Sequence, residues 1–78
     1  MNMNHTLGII FDIVRRYSTA YPLPFVLSEV VRYMKDLGYP VTVLDQAHRN
    51  YKLLQVGGHT YRIVRNKGWT SYEVLAVD

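Results

Sequence analysis

The chain has 78 residues, of which 49% are apolar and 19% charged, with no cysteine and a formal net charge of +3. That length holds one domain, residues 1–78, and a chain so short buries only about 60% of the surface its unfolded form exposes. The missing cysteine excludes disulfides and thiolate metal sites, the apolar fraction argues against a disordered tail, and no run approaches the ~20 apolar residues of a membrane span.

The first apolar run, Leu7 to Phe11, is followed by Asp12, Arg15 and Arg16, the wrong order for an export signal. A soluble, cytoplasmic protein is therefore expected. Asn4-His5-Thr6 matches a glycosylation sequon, a coincidence in a chain without such a signal. Leu7, Ile10, Phe11, Val14 and Tyr17 fall on one helical face, which predicts a helix over about 5–17. Ile9 and Ile13 widen its buried side, and Arg15 and Arg16 complement the negative end of the helix dipole.

Residues 18–23 read as a connector. Pro24 suits the first position of a second helix, where its missing N–H is not needed. That helix is expected to reach Leu37 and to bury Val26, Leu27, Val30, Val31, Met34 and Leu37. Glu29–Arg32 and Arg32–Asp36 sit at pairing distance on its wet face. Gly38 is the expected left-handed terminator, and Pro40 prevents continuation. Two helices joined by a short loop pack as an antiparallel hairpin.

Residues 41–50 admit two readings. Val41-Thr42-Val43-Leu44 is β-branched enough for a short strand or loop. Thr42 to Asp45 also has a helix-capping pattern, and Leu44, Ala47, Tyr51 and Leu54 have helical spacing. A third helix near 42–52 would make the chain a winged helix-turn-helix domain, with Gln46, Arg49 and Asn50 pointing outward as base readers.

From Tyr51 onward the apolar period changes to 2. Gly57-Gly58 predicts a two-residue hairpin turn that pairs Val56 with His59, Leu54 with Tyr61 and Lys52 with Ile63. A second turn over Asn66–Trp69 would pair Ile63 with Tyr72, Tyr61 with Val74, His59 with Ala76, and Arg62 with Glu73 across the outer face. Strands are expected at about 51–56, 59–65 and 70–77. The expected fold is α+β: an N-terminal helical hairpin on one face of a three-stranded antiparallel β-meander.

The stretch from Gln46 to Tyr72 contains no acid and carries Arg49, Lys52, Arg62, Arg65 and Lys67, a formal +5. Tyr51, Tyr61, Trp69 and Tyr72 interleave with them. Cations attract phosphate and flat rings stack on bases, so the pattern points to nucleic acid. Arg49, Lys52, Arg65 and Lys67 would neutralise phosphate, Trp69 would stack or wedge, and Tyr51 and Arg62 extend the surface. The plain alternative is a solvated charged face over core aromatics.

A protein partner is the competing expectation. Tyr51, Leu53, Val64 and Leu75 fall on the outer face of the sheet, so that face is covered by residues 41–50, by a protein partner, or by a second copy in a homodimer. A small accessory or inhibitory module, in the compositional style of phage and mobile-element factors, would dock through Tyr51, Leu53, Val64, Trp69 and neighbouring arginines. No catalytic constellation, cofactor motif or membrane-binding face is legible. His48, His59 and Asp45 are too sparse a set for a metal.

Overall fold

The computed structural model describes residues 3–45 and 49–77. Two helices, α1 (Met3–Val14) and α2 (Leu23–Asp36), precede four strands: β1 (Val41–Asp45), β2 (Tyr51–Val56), β3 (His59–Arg65) and β4 (Tyr72–Ala76). The strands form one antiparallel sheet in sequence order, β1-β2-β3-β4. The helices pack against each other and on one face of that sheet, α1 over β4 and α2 over β2 and β1. The fold is α+β with a helical hairpin, as the sequence predicts, but the sheet has four strands rather than three.

The third helix and the winged helix-turn-helix arrangement are absent, because 41–45 and 51–56 are strands. β-Branched Val41, Thr42 and Val43 suit the edge of a sheet better than a helix. Val41 and Val43 point their side chains to the core, and the register shifts by one residue between Val43 and Asp45, with Leu44 left 50% exposed. Gln46, a base reader only in the three-helix alternative, and His48, of the set judged too sparse for a metal, lie outside the described residues.

Pro22 precedes α2 in extended geometry, and a proline stands in the helix's first turn. Its end is a Schellman motif: Gly38 (φ 90°) donates to Lys35 O at 2.9 Å and Tyr39 N–H donates to Met34 O at 3.0 Å. Arg32 takes Glu29 at 2.5 Å rather than Asp36. α1 stops at Val14, so Arg15 and Arg16 lie in the turn beyond it.

Two further expectations fail at the margins of the core. Phe11 is 47% exposed and Leu37 59% exposed, whereas Ile13 and Thr6 are buried. The buried stripe of α1 thus runs Thr6-Ile10-Ile13-Val14, turned from the expected face because α1 must meet α2 and β4 together.

The β2–β3 pairing is as expected: Val56↔His59, Leu54↔Tyr61 and Lys52↔Ile63. The β3–β4 pairing is two residues out, with Arg65↔Tyr72, Ile63↔Val74 and Tyr61↔Ala76. Arg62 therefore faces Leu75, and Glu73 faces Val64. An error of two preserves the faces, since side chains alternate with period 2. The core layer holds Leu54, Val56, Tyr61, Ile63 and Tyr72 under Ile10, Val14, Leu23, Val26, Val30 and Met34. Fully buried Tyr61 donates its hydroxyl to Met3 O at 3.3 Å, tying the start of α1 to the middle of the sheet.

An added methyl group should have opposite effects at two glycines. Neither Gly8 nor Gly38 has an atom within 4 Å of the place a Cβ would take, but only Gly38 has positive φ. Gly8→Ala should raise unfolding stability by about 1 kcal/mol, the helix-propensity difference. Gly38→Ala should lower it by about 1 kcal/mol or more through left-handed strain. Urea denaturation of both variants checks the pair, and shifts of the same sign would contradict the backbone explanation.

Candidate functional site

The β3–β4 loop, residues 66–71, is built on the Asn66 side chain. Asn66 Oδ1 accepts from the Thr70 N–H (3.0 Å) and the Ser71 N–H (3.4 Å), while Nδ2 donates to Thr70 Oγ1 (3.1 Å) and Ser71 Oγ (2.9 Å). The backbone adds Asn66 N–H to Ser71 O at 3.0 Å and Trp69 N–H to Asn66 O at 3.1 Å. Asparagine suits this place because its short amide imitates a peptide group. From outside, Thr19 Oγ1 donates to Trp69 O, and Ser18 bridges to Ser71. Tyr72 donates its hydroxyl to Tyr21 O at 2.6 Å. The loop is thereby fastened to the α1–α2 connector.

That fastening holds Trp69 at φ 57°, the one described non-glycine residue with positive φ, while its side chain stays 59% exposed. A left-handed tryptophan costs about 1–2 kcal/mol relative to ordinary backbone. The Arg65 guanidinium carbon lies 5.2 Å from the Trp69 ring centroid and 5.7 Å from that of Tyr72. Arg65 also donates to Arg49 O at 3.4 Å, which draws exposed Arg49 to the same end of the molecule. Lys67 is exposed in the loop itself.

A second aromatic group stands on the connector that the loop grips. The rings of Tyr17 and Tyr21 meet edge-on at 5.2 Å, Tyr17 and Phe25 edge-on at 5.6 Å, and Tyr21 and Phe25 stack at 5.7 Å. Tyr21 is 46% exposed and Phe25 41%. Behind them the Tyr17 hydroxyl donates to Glu29 Oε2 over a long 3.4 Å, and Glu29 also holds Arg32. Burial, and next to it the Glu29 charge, raise the Tyr17 pKa above the ordinary tyrosine value. The hydrogen bond to Glu29 likewise raises Arg32. Arg16 and Arg32 both lie over the Tyr33 ring, at 5.3 and 4.5 Å.

The structure divides the residues singled out from sequence. Arg49, Arg65, Lys67 and Trp69 gather at the loop end. Tyr51 and Arg62 lie on the outer face of the sheet, with the Arg62 guanidinium carbon 5.0 Å from the Tyr51 centroid. Lys52 belongs to neither group: it is 5% exposed on the helix-facing side of β2, opposite Ile63. Burial there sets Lys52 apart from the exposed cations of the expected phosphate surface. The cationic sheet surface is thus two smaller surfaces.

Tyr17, Tyr21 and Phe25 were not singled out. Their spacing of four residues is no signal by itself, because the sequence assigns Tyr17 to the first helix, Tyr21 to the connector and Phe25 to the second helix. Among the described residues no three His, Cys, Asp or Glu side chains gather as a metal site, and no helix is long and apolar enough to cross a membrane. No protein-family model, curated protein or solved structure matches this chain.

The raised Tyr17 pKa has a measurable sign. A group held protonated by the fold stabilises it below its unfolded pKa and loses that contribution as pH rises through the folded value. In alkaline absorbance titration, the difference between wild type and Tyr17→Phe should show a phenol ionising above the ordinary tyrosine range. Glu29→Gln should move that ionisation down but not wholly back, since burial is the larger cause. An unmoved midpoint in Glu29→Gln would remove the carboxylate from the account.

Proposed function

We propose that this protein is a non-catalytic, regulatory nucleic-acid-binding module that takes a single strand at its β3–β4 loop end. The observation that carries the reading is Trp69: exposed, left-handed, its backbone held by Asn66 and Thr19, and its ring beside Arg65. Backbone strain on an aromatic that stays 59% exposed is the kind of cost found at working sites. A base stacked on an indole is worth about 1–3 kcal/mol and needs no particular sequence. Arg49, Arg65 and Lys67 lie where the flanking phosphates would pass.

Labelled single-stranded oligonucleotides, titrated across a salt series, test it. Three cations facing phosphate predict a log–log slope of roughly −2, with Arg65→Gln and Lys67→Gln each reducing its magnitude by about 0.7. Trp69→Gly should weaken binding by about 1–3 kcal/mol and leave the slope unchanged. The same variant should keep or raise unfolding stability, by about 1 kcal/mol at most, because it relieves the backbone. Absence of binding at low salt would sink the proposal, and a destabilised Trp69→Gly would make the indole a packing element instead.

A second reading has its own observation. No described element covers the outer face of the sheet, where Tyr51, Leu53, Val64 and Leu75 stand with Arg62 and Glu73. The solvent side of an antiparallel sheet is ordinarily polar. On this reading the chain docks on a protein, as an accessory or inhibitory factor, or pairs with a second copy. Leu75→Lys, at a 44% exposed position, should then abolish co-purification with that partner or dimer formation in light scattering, with folding intact. A Leu75→Lys variant that keeps its partner would refute this reading.

A further inference from the structure

The far edge of the sheet carries a separate site, independent of the loop end. β1 pairs only with β2 among the described residues. Gly57 N–H donates to Pro40 O at 3.1 Å, which fixes the phase of that pairing. Val41↔Val56 is consequently a non-hydrogen-bonded pair and Thr42↔Gln55 the pair that exchanges backbone bonds. By the same alternation, the N–H and C=O groups of Val41 and Val43 aim away from β2, toward the open edge.

Alongside that edge runs a groove between α2 and β1. Leu27, Val31, Pro24 and Val43 supply its apolar lining, and Arg32 and Lys35 stand with Ser28 as its polar part. None of this described lining is acidic. Glu29 offsets part of the Arg32 charge, whereas Lys35 has no ion pair among the described residues. An edge strand with free backbone groups, beside a helix that offers an apolar slot and cations, has the parts needed for strand addition.

We propose that β1 and α2 form a strand-addition site for an extended, acidic peptide. The peptide lies along β1, and its backbone bonds the outward groups of Val41 and Val43. One aliphatic side chain enters between Leu27, Val31 and Val43. Side chains two positions away share its face of the strand, so a carboxylate there reaches Lys35 and Arg32. The recognised pattern is an acidic residue two positions from Val, Ile or Leu. A free sheet edge is an aggregation hazard unless something manages it, and the bulge at Leu44 confines the usable edge to Val41–Val43.

The test is selection from a randomised library of peptides of about seven residues, the length of an ordinary strand, on the immobilised full chain. The selected peptide is then titrated into isotopically labelled protein. The expected result is enrichment of the acidic–x–aliphatic pattern, with amide shifts at Val41, Val43 and along 27–35. N-methylation of the peptide amides that face β1 should weaken binding at least about tenfold, and so should Lys35→Glu at its exposed helix position. Selection of nothing or of an unpatterned set, shifts confined to residues 66–71 or to the outer sheet face, or equal binding of the N-methylated peptide would each overturn the proposal. So would a dimer that pairs two β1 edges and excludes peptide.

Discussion

Two consecutive residues at positive φ, Gly57 at 60° and Gly58 at 88°, close the β2–β3 hairpin, and the sidedness of the whole sheet is measured from them. A primed two-residue turn matches strand twist and leaves no freedom of register. Leu54, Val56, Tyr61 and Ile63 then fall on one face and are fully buried. A slip of one residue would exchange them for Leu53, Gln55, Arg62 and Val64, and the helices would meet a guanidinium in place of the Tyr61 ring. The packing of α1 and α2 follows from that turn. So does the position of the loop end, because the core holds α1 and α2 over the sheet and their connector lies against residues 66–71.

The same sidedness explains the two unusual cations of the sheet. Parity sends Lys52 inward, where a long aliphatic stem can lie along apolar neighbours. Parity sends Arg62 outward, between Leu53 and Leu75 and over Tyr51. Its Nε is nevertheless buried and has no hydrogen-bond partner among the described residues. A buried donor without a partner costs about 1–3 kcal/mol.

Much of this was legible from residue order, and the failures have local causes. The helical hairpin, the Gly38 stop and the β2–β3 register rest on short-range rules: apolar period, a left-handed glycine, a two-residue turn. The β3–β4 register failed because Asn66 stops the ladder at Arg65↔Tyr72 and closes a six-residue loop with its own side chain. That choice depends on Ser18 and Thr19, about fifty positions away, and no local pattern announces it. The inward place of Lys52 was legible in its pairing with Ile63, while its charge suggested a surface role. Tyr21 and Phe25 needed the fold, because only the contacts to Tyr72 and Trp69 bring the connector to the loop end.

Size decides how the exposed features are weighed. At about 0.05–0.15 kcal/mol per residue, a domain of this length has a net stability of about 4–12 kcal/mol, and no disulfide adds to it. Against that margin, a left-handed Trp69 is a tenth or more of the total. Gly or Asn at position 69 would relieve the left-handed strain, and a polar side chain at the 44% exposed Leu75 would suit the outer face of an antiparallel sheet. The two lie apart, one at a loop pinned by the Asn66 amide and the Thr19 hydroxyl, the other on the outer side of β4. The Trp69 backbone is fixed by bonds to Asn66 O and from Thr19 Oγ1, and its ring has the Arg65 guanidinium beside it. Leu53, Val64 and Leu75 sit on a regular ladder that offers area without a pocket, which suits a broad protein surface better than a small ligand. The two surfaces differ in shape: one is a single exposed ring on a pinned loop, the other a flat ladder of side chains.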